Sequence, residues 1–122
     1  MKRRILIIED EPLLRDVYAL ILKKEGYEVD MAENGKVGLR RLKSFKPDLV
    51  MLDMLMPVLD GKGFLQTVKL PIKYPETKLI IVSNVSEPLN DEEVDKYGVD
   101  DLILKVNLSP VELVNTVKKH TK

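Results

Sequence analysis

Five short apolar runs punctuate the chain: Ile5-Leu6-Ile7-Ile8, Val29 to Ala32, Leu49-Val50-Met51-Leu52, Leu79-Ile80-Ile81-Val82 and Leu102-Ile103-Leu104. The first, third and fourth are unbroken and rich in Leu, Ile and Val, as strands covered on both faces by helices must be, and are expected at the centre of a sheet. The run Glu28-Val29-Asp30-Met31-Ala32 alternates with polar residues and reads as an edge strand. Helix-period stretches fill the intervals. Pro12 suits a first helical turn, after which Leu13, Val17, Leu20, Ile21 and Lys24 are expected on one stripe until Gly26 stops the helix. Further helices are expected over 36–44, 61–69, 91–97 and 110–119, with a long connection over 69–77. Before the last helix, Ser109 and Glu112 have the spacing of a capping box around Pro110.

This alternation of strand and helix requires a parallel sheet with right-handed crossovers and helices on both faces. A length of 122 residues allows one such domain, spanning 1–122, and a hydrophobic fraction of 44% is enough to fill its core. Twenty basic and 20 acidic residues cancel, so no general attraction for nucleic acid or an anionic membrane is expected. The absence of Cys excludes disulfides, thiolate metal sites and a cysteine nucleophile. The apolar run behind Lys2-Arg3-Arg4 is too short for a signal peptide or a membrane span, and a cytoplasmic location is expected.

In a sheet of this kind, function gathers at the carboxyl ends of the strands. Strand one ends in Glu9-Asp10-Glu11, strand three in Asp53, strand four in Ser83 and strand five in Lys105. Carboxylates brought within about 4 Å repel by roughly 4 kcal/mol per pair at an effective dielectric of about 20. Either one of them stays protonated or a hard divalent cation sits among them. The cation is the expectation, and an all-oxygen set of Asp10, Asp53 and the Leu55 carbonyl suits Mg²⁺. A metal among acids, faced by an ammonium and a hydroxyl, fits phosphoryl chemistry: Mg²⁺, Lys105 and Ser83 can each hold an equatorial oxygen while Asp53 attacks as a carboxylate.

ILIIEDEP near the start, DLVMLDMLMPVLDG at 48–61, LIIVS at 79–83 and DDLILK at 100–105 together resemble a two-component response-regulator receiver domain, over essentially the whole chain. The resemblance implies a flavodoxin-like fold, with strand order 2-1-3-4-5 and five helices. It further implies that Asp53 is phosphorylated from the phosphohistidine of a sensor histidine kinase or phosphotransfer protein. By position, Asp10 corresponds to the direct metal ligand, Glu9 to the acid acting through metal-bound water, and Leu55 to the carbonyl ligand. Ser83 corresponds to the switch hydroxyl and Lys105 to the phosphate-binding lysine. On this reading the loop from Ser83 to Asn90 closes on phospho-Asp53 and shifts the face of helix 4, strand 5 and helix 5. That face, with Asp95, Lys96, Asp100, Asp101, Asn115, Lys118 and Lys119, is expected to meet a downstream effector or a second copy of the chain. The short 91–97 helix is expected to have little apolar anchorage.

Three positions depart from the family pattern. Val106 stands where a proline in a cis peptide usually follows the lysine, Leu102 where an aromatic switch residue is common, and Asn84 where a very small residue follows the hydroxyl. Leu55 and Val85, beside the expected path of water to the acyl phosphate, cannot orient it, so slow self-dephosphorylation is expected. No DNA-binding or catalytic segment follows residue 120, which suits either a domain that acts by docking or one cut from a longer regulator. Tyr18, Tyr27, Tyr74 and Tyr97 and the methionines are expected to pack, and His120 is read as isolated in a basic tail. Two rival readings are a metal-dependent phosphohydrolase, disfavoured because Leu55 stands where its second acid belongs, and a pseudo-receiver that binds partners without phosphorylation.

Overall fold

A computed structural model describes residues 2–122 and contains one sheet of five parallel strands in the order β2-β1-β3-β4-β5. These are β1 (Arg4–Ile8), β2 (Glu28–Ala32), β3 (Leu49–Asp53), β4 (Lys78–Ser83) and β5 (Asp101–Leu104). The main helices are α1 (Pro12–Lys24), α2 (Gly35–Phe45), α3 (Gly61–Val68), α4 (Asp91–Tyr97) and α5 (Pro110–His120). One further helical turn, Leu70–Lys73, occupies part of the 69–77 connection, and a 3-10 turn, Lys105–Asn107, follows β5. The doubly wound topology expected from the alternating runs is therefore present. None of the described helices is long and apolar enough to cross a membrane.

The unbroken apolar runs reflect a sheet with two cores. Successive strand residues point to opposite faces, so Leu6, Ile8, Val50, Leu52, Leu79 and Ile81 pack with Leu42, Phe64, Leu65 and Tyr97 beneath α2, α3 and α4. Ile5, Ile7, Leu49, Met51, Ile80 and Val82 pack on the other side with Tyr18 and Leu22 of α1 and Leu113 and Val117 of α5. Each such Leu or Ile, fully removed from water, contributes roughly 1.5–3 kcal/mol before entropy is counted.

Several local expectations change. The buried stripe of α1 is Leu14, Tyr18, Ile21 and Leu22, whereas Leu13, Val17 and Leu20 are 75%, 41% and 55% exposed. Both stripes have helical spacing, and only the direction of the sheet decides which one is covered. At α5 the Ser109 hydroxyl accepts from the Glu112 amide at 3.1 Å, but the reciprocal half of the capping box does not form. A complete box instead starts α4: the Asn90 side chain accepts from the Glu93 amide at 2.8 Å, and the Glu93 carboxylate accepts from the Asn90 amide at 3.1 Å. That helix is also better anchored than expected, since Leu89 and Tyr97 are buried and Val94 packs against the core.

The segment between Asp53 and α3 is tightly folded. Gly61 lets the start of α3 press on that loop, because a Cβ there would lie 2.7 Å from the Met54 Cα and 2.8 Å from the Asp53 carbonyl oxygen. Within the loop the Leu59 amide donates to the Pro57 carbonyl at 2.8 Å, a γ-turn that forces Val58 to φ 70°. A β-branched residue is costly there because its Cβ crowds the following carbonyl. Val58→Gly is therefore expected to raise the unfolding free energy by about 1 kcal/mol in denaturant titrations, and a loss of stability would contradict the strain.

Candidate functional site

Strand order reverses between β1 and β3, and the carboxyl ends of these two strands carry Glu9-Asp10 and Asp53. Glu9 and Asp53 are 2% and 4% exposed, and Asp10 is partly buried. One carboxylate oxygen from each of Glu9, Asp10 and Asp53 lies within 4.8 Å of the others. The end of β1 is held in place from α1, where the Arg15 guanidinium donates to the Glu9 carbonyl at 2.8 Å.

Lys105 enters this cluster from the far side of the sheet. Its peptide to Val106 is trans, since the described chain has no cis bond, and the 3-10 turn leaves Val106 84% exposed while sending the lysine inward. The Lys105 ammonium lies 2.9 Å from Glu9 Oε1, 3.4 Å from Asp53 Oδ2 and 3.8 Å from Glu11 Oε1, and its side chain is only 9% exposed. Loss of the proline thus leaves the lysine in the pocket.

One ammonium does not balance this many acids. Burial pushes the Glu9 carboxyl up to about 7, with the Lys105 hydrogen bond and the Glu11 amide only partly offsetting it. Burial also raises Asp53, against the pull of Lys105. For Lys105 itself burial opposes the charge, but the contacts to Glu9 and Asp53 more than offset that and hold its pKa above the ordinary lysine value. The site therefore keeps a charged lysine and still lacks positive charge. A set of hard carboxylate oxygens short of one cation fits Mg²⁺ by donor chemistry and charge.

The remaining groups stand around this centre. The Leu55 amide donates to Asp53 Oδ1 at 3.3 Å, while the Leu55 side chain is 66% exposed. Ser83 is buried at the end of β4, where its hydroxyl accepts from the Val85 amide at 3.0 Å. Asn84 and Val85 are exposed on the loop that follows. Leu102 is half-buried against the core and offers no aromatic ring to move.

On the α4, β5 and α5 side, some expected surface groups are already engaged. Asp100 accepts from the Leu79 amide at 2.8 Å, and Lys118 reaches Glu25 at 3.7 Å. His120, read as isolated, contacts Asp101 at 2.9 Å because the last turn of α5 lies over the start of β5. Two features escaped the reading of the residues. Lys62 of α3 pairs with Glu93 of α4 at 2.7 Å. Tyr18 places its phenol within electrostatic reach of the pocket: burial raises its pKa most, and the charges of Glu9, Asp53 and Glu11 add to this against Lys105. Its signal in the sequence was a hydroxyl-bearing residue on an otherwise aliphatic stripe.

The response regulator receiver domain profile matches residues 5–118. The chemotaxis protein CheY of Thermotoga maritima is 32% identical, with all of both chains covered. A probable transcriptional regulator, ycf27, of Porphyridium aerugineum is 38% identical over 92% of this chain but only 45% of its own length, so the chain spans less than half of that relative. Among solved structures, a CheY-like receiver domain protein of Methanospirillum hungatei JF-1 superposes with a TM-score of 0.87 at 28% identity, covering 98% of this chain and 93% of that one. The response regulator TrrA of Thermotoga maritima, in complex with Mg²⁺-BeF, superposes with a TM-score of 0.81 at 32% identity, covering 97% and 98%.

The raised Glu9 pKa has a sign that can be measured. Between the ordinary value of 4.5 and about 7 the folded protein keeps a proton that the unfolded chain has released. With divalent cations chelated, this contribution is complete below the unfolded value and is lost as pH rises through the folded one. Urea denaturation is expected to show stability falling across that interval by as much as about 3 kcal/mol, with the slope much reduced in Glu9→Gln. A flat wild-type profile would contradict the electrostatic account.

Proposed function

The chain belongs to the response regulator receiver domain family, and from that premise we propose that Asp53 accepts a phosphoryl group from the phosphohistidine of a sensor histidine kinase or phosphotransfer protein. The observation that carries this reading is the Lys105 ammonium, delivered from the far side of the sheet to 3.4 Å from the Asp53 carboxylate. An Asp53 oxygen forms a bond to phosphorus as the phosphorus–nitrogen bond of the donor breaks, and the electron pair leaves with the imidazole. The product is an acyl phosphate. Lys105 keeps Asp53 ionised for attack and then holds a phosphoryl oxygen, while the Ser83 hydroxyl, whose oxygen accepts from the Val85 amide, has its own proton to donate to another. Mg²⁺, when bound by Asp10, Asp53 and the Leu55 carbonyl, with Glu9 acting through a water, neutralises charge on the transferring group.

The pocket rim supports a protein as donor. Leu13, Leu55, Val58, Val85 and Val106, all on loops or helix starts at the carboxyl edge of the sheet, are 51–84% exposed. Apolar side chains gathered around a charged centre suit an apolar partner surface better than a small polar reagent. The signal then travels through the Ser83–Asn90 loop to α4, β5 and α5, where Asp95, Lys96, Asn115 and Lys119 remain to meet an effector or a second copy. The proposed setting is cytoplasmic, with no direct contact to nucleic acid.

Incubation with acetyl phosphate and Mg²⁺ is expected to add one phosphoryl group by intact mass, and Asp53→Ala is expected to abolish it. Turnover without an adduct would favour a phosphohydrolase, and no adduct at all a pseudo-receiver; either result overturns the reading.

Slow self-dephosphorylation is proposed because Leu55 and Val85 are both apolar and exposed at the rim. Val85→Glu, which adds a group able to orient water, is expected to speed phosphate release about tenfold. An unchanged rate would remove the argument.

A further inference from the structure

The connection over 69–77 belongs to a surface that the phosphorylation chemistry does not use. Lys69 closes α3 in the left-handed region with φ 49°, and the turn Leu70–Lys73 then packs against α4. Gly98 allows the close approach, because a Cβ there would lie 2.7 Å from Pro71 Cγ. Between α3, this turn and α4 lies a cavity of about 250 Å³. Buried Leu65 and Tyr97 line it beside exposed Pro71 and Ile72, the latter 78% exposed.

The charge at this cavity is of one sign. Lys69 and Lys96 flank the apolar residues, and no acid lines the space. Of Lys62, Lys69, Lys73 and Lys96, only Lys62 is paired with a carboxylate among the described residues, that of Glu93. The Lys96 ammonium lies 5.6 Å from the centre of the Tyr97 ring, within cation–π range. Positive charge is thus held over an apolar recess.

Size and charge select the occupant. Pockets that enclose a small molecule measure about 300–1,000 Å³, so this smaller one suits a side chain delivered by a protein. A second copy docked symmetrically would set the lysines of each chain near those of the other, at a cost in repulsion. An anionic bilayer would answer the lysines but leave the recess unfilled, and the Leu70–Lys73 turn is too short to lie in a membrane interface as an amphipathic helix.

We propose that the recess between α3 and α4 docks a partner protein through a short acidic segment: one large apolar side chain fills the cavity against Leu65 and Tyr97, and flanking carboxylates meet Lys69 and Lys96. The apolar anchor supplies most of the affinity, and the charges choose the partner. This surface shares only Lys96 with the α4, β5 and α5 face proposed above, and docking here requires no phosphoryl group on Asp53.

A phage-displayed library of random short peptides, selected on the wild-type protein, is the probe. Selection is expected to enrich peptides with Leu, Phe or Trp between Asp or Glu residues. A synthetic copy of the most enriched peptide, titrated into isotope-labelled protein, is expected to shift the amide signals of Leu65, Lys69, Ile72 and Tyr97. Ile72→Ser and the double variant Lys69→Glu/Lys96→Glu are each expected to weaken binding about tenfold, with thermal melting like that of wild type because the altered side chains are exposed. The double variant is expected in turn to bind a copy of the peptide whose acids are replaced by lysines. Failure to enrich any peptide, enrichment without acids, shifts located elsewhere, binding that survives both variants, or no binding of the reversed peptide overturns the proposal. So does self-association of the free protein that Ile72→Ser abolishes, which would assign the recess to a second copy. Binding to phosphatidylserine-containing vesicles that is lost in both variants would assign it to a membrane and overturn it equally.

Discussion

A single buried ammonium shared between two buried carboxylates organises this molecule. Lys105 lies between Glu9 and Asp53 where neither acid has appreciable access to water, and both acids remain above their ordinary pKa despite it. Removing charged groups from water costs several kcal/mol per ion, and such a cluster persists only where surrounding structure holds it together. The surrounding structure here is a five-stranded sheet buried on both faces, which brings distant segments to one edge at fixed spacing.

Seen from that centre, the rest of the fold has an electrostatic logic. The β1 end is fastened by Arg15, the loop after Asp53 is pressed by α3 through Gly61, and the strained γ-turn at Val58 keeps that loop compact. The pocket remains short of positive charge, which suits a divalent cation. The same shortage makes Lys105 the mobile element in the proposed chemistry, since any new anion competes with Glu9 for it.

The α4 side has a different character. Its start is fixed by the Asn90–Glu93 capping box, and Glu93 is tied in turn to Lys62 of α3. An exposed ion pair contributes little, and a helix N-cap typically about 1 kcal/mol. Together with Leu89 and Tyr97 they give the helix a defined resting place, from which the shift of α4 proposed for the phosphorylated state would start.

Apolar periodicity alone determined the strand count, the central position of β1, β3 and β4 and the edge position of β2, because a doubly covered strand must be apolar at every position. Polar residues at the ends of those runs likewise marked Glu9, Asp10, Asp53, Ser83 and Lys105, since the ends of buried strands are where a chain can carry charge. What the sequence could not decide was direction and distance. Leu13-Val17-Leu20 and Leu14-Tyr18-Leu22 obey the same helical spacing, and only docking on the sheet buried the second. Val106 removes the proline that usually follows this lysine, and only the fold shows that a trans peptide and a 3-10 turn still bring the ammonium to the acids. Ser109 and Asn90 both had a Glu three residues on, and only local backbone geometry closed the box at one of them. The first two outcomes depend on contacts between segments far apart in the chain, and the third on backbone torsions that the residue types at the two ends of the box do not fix.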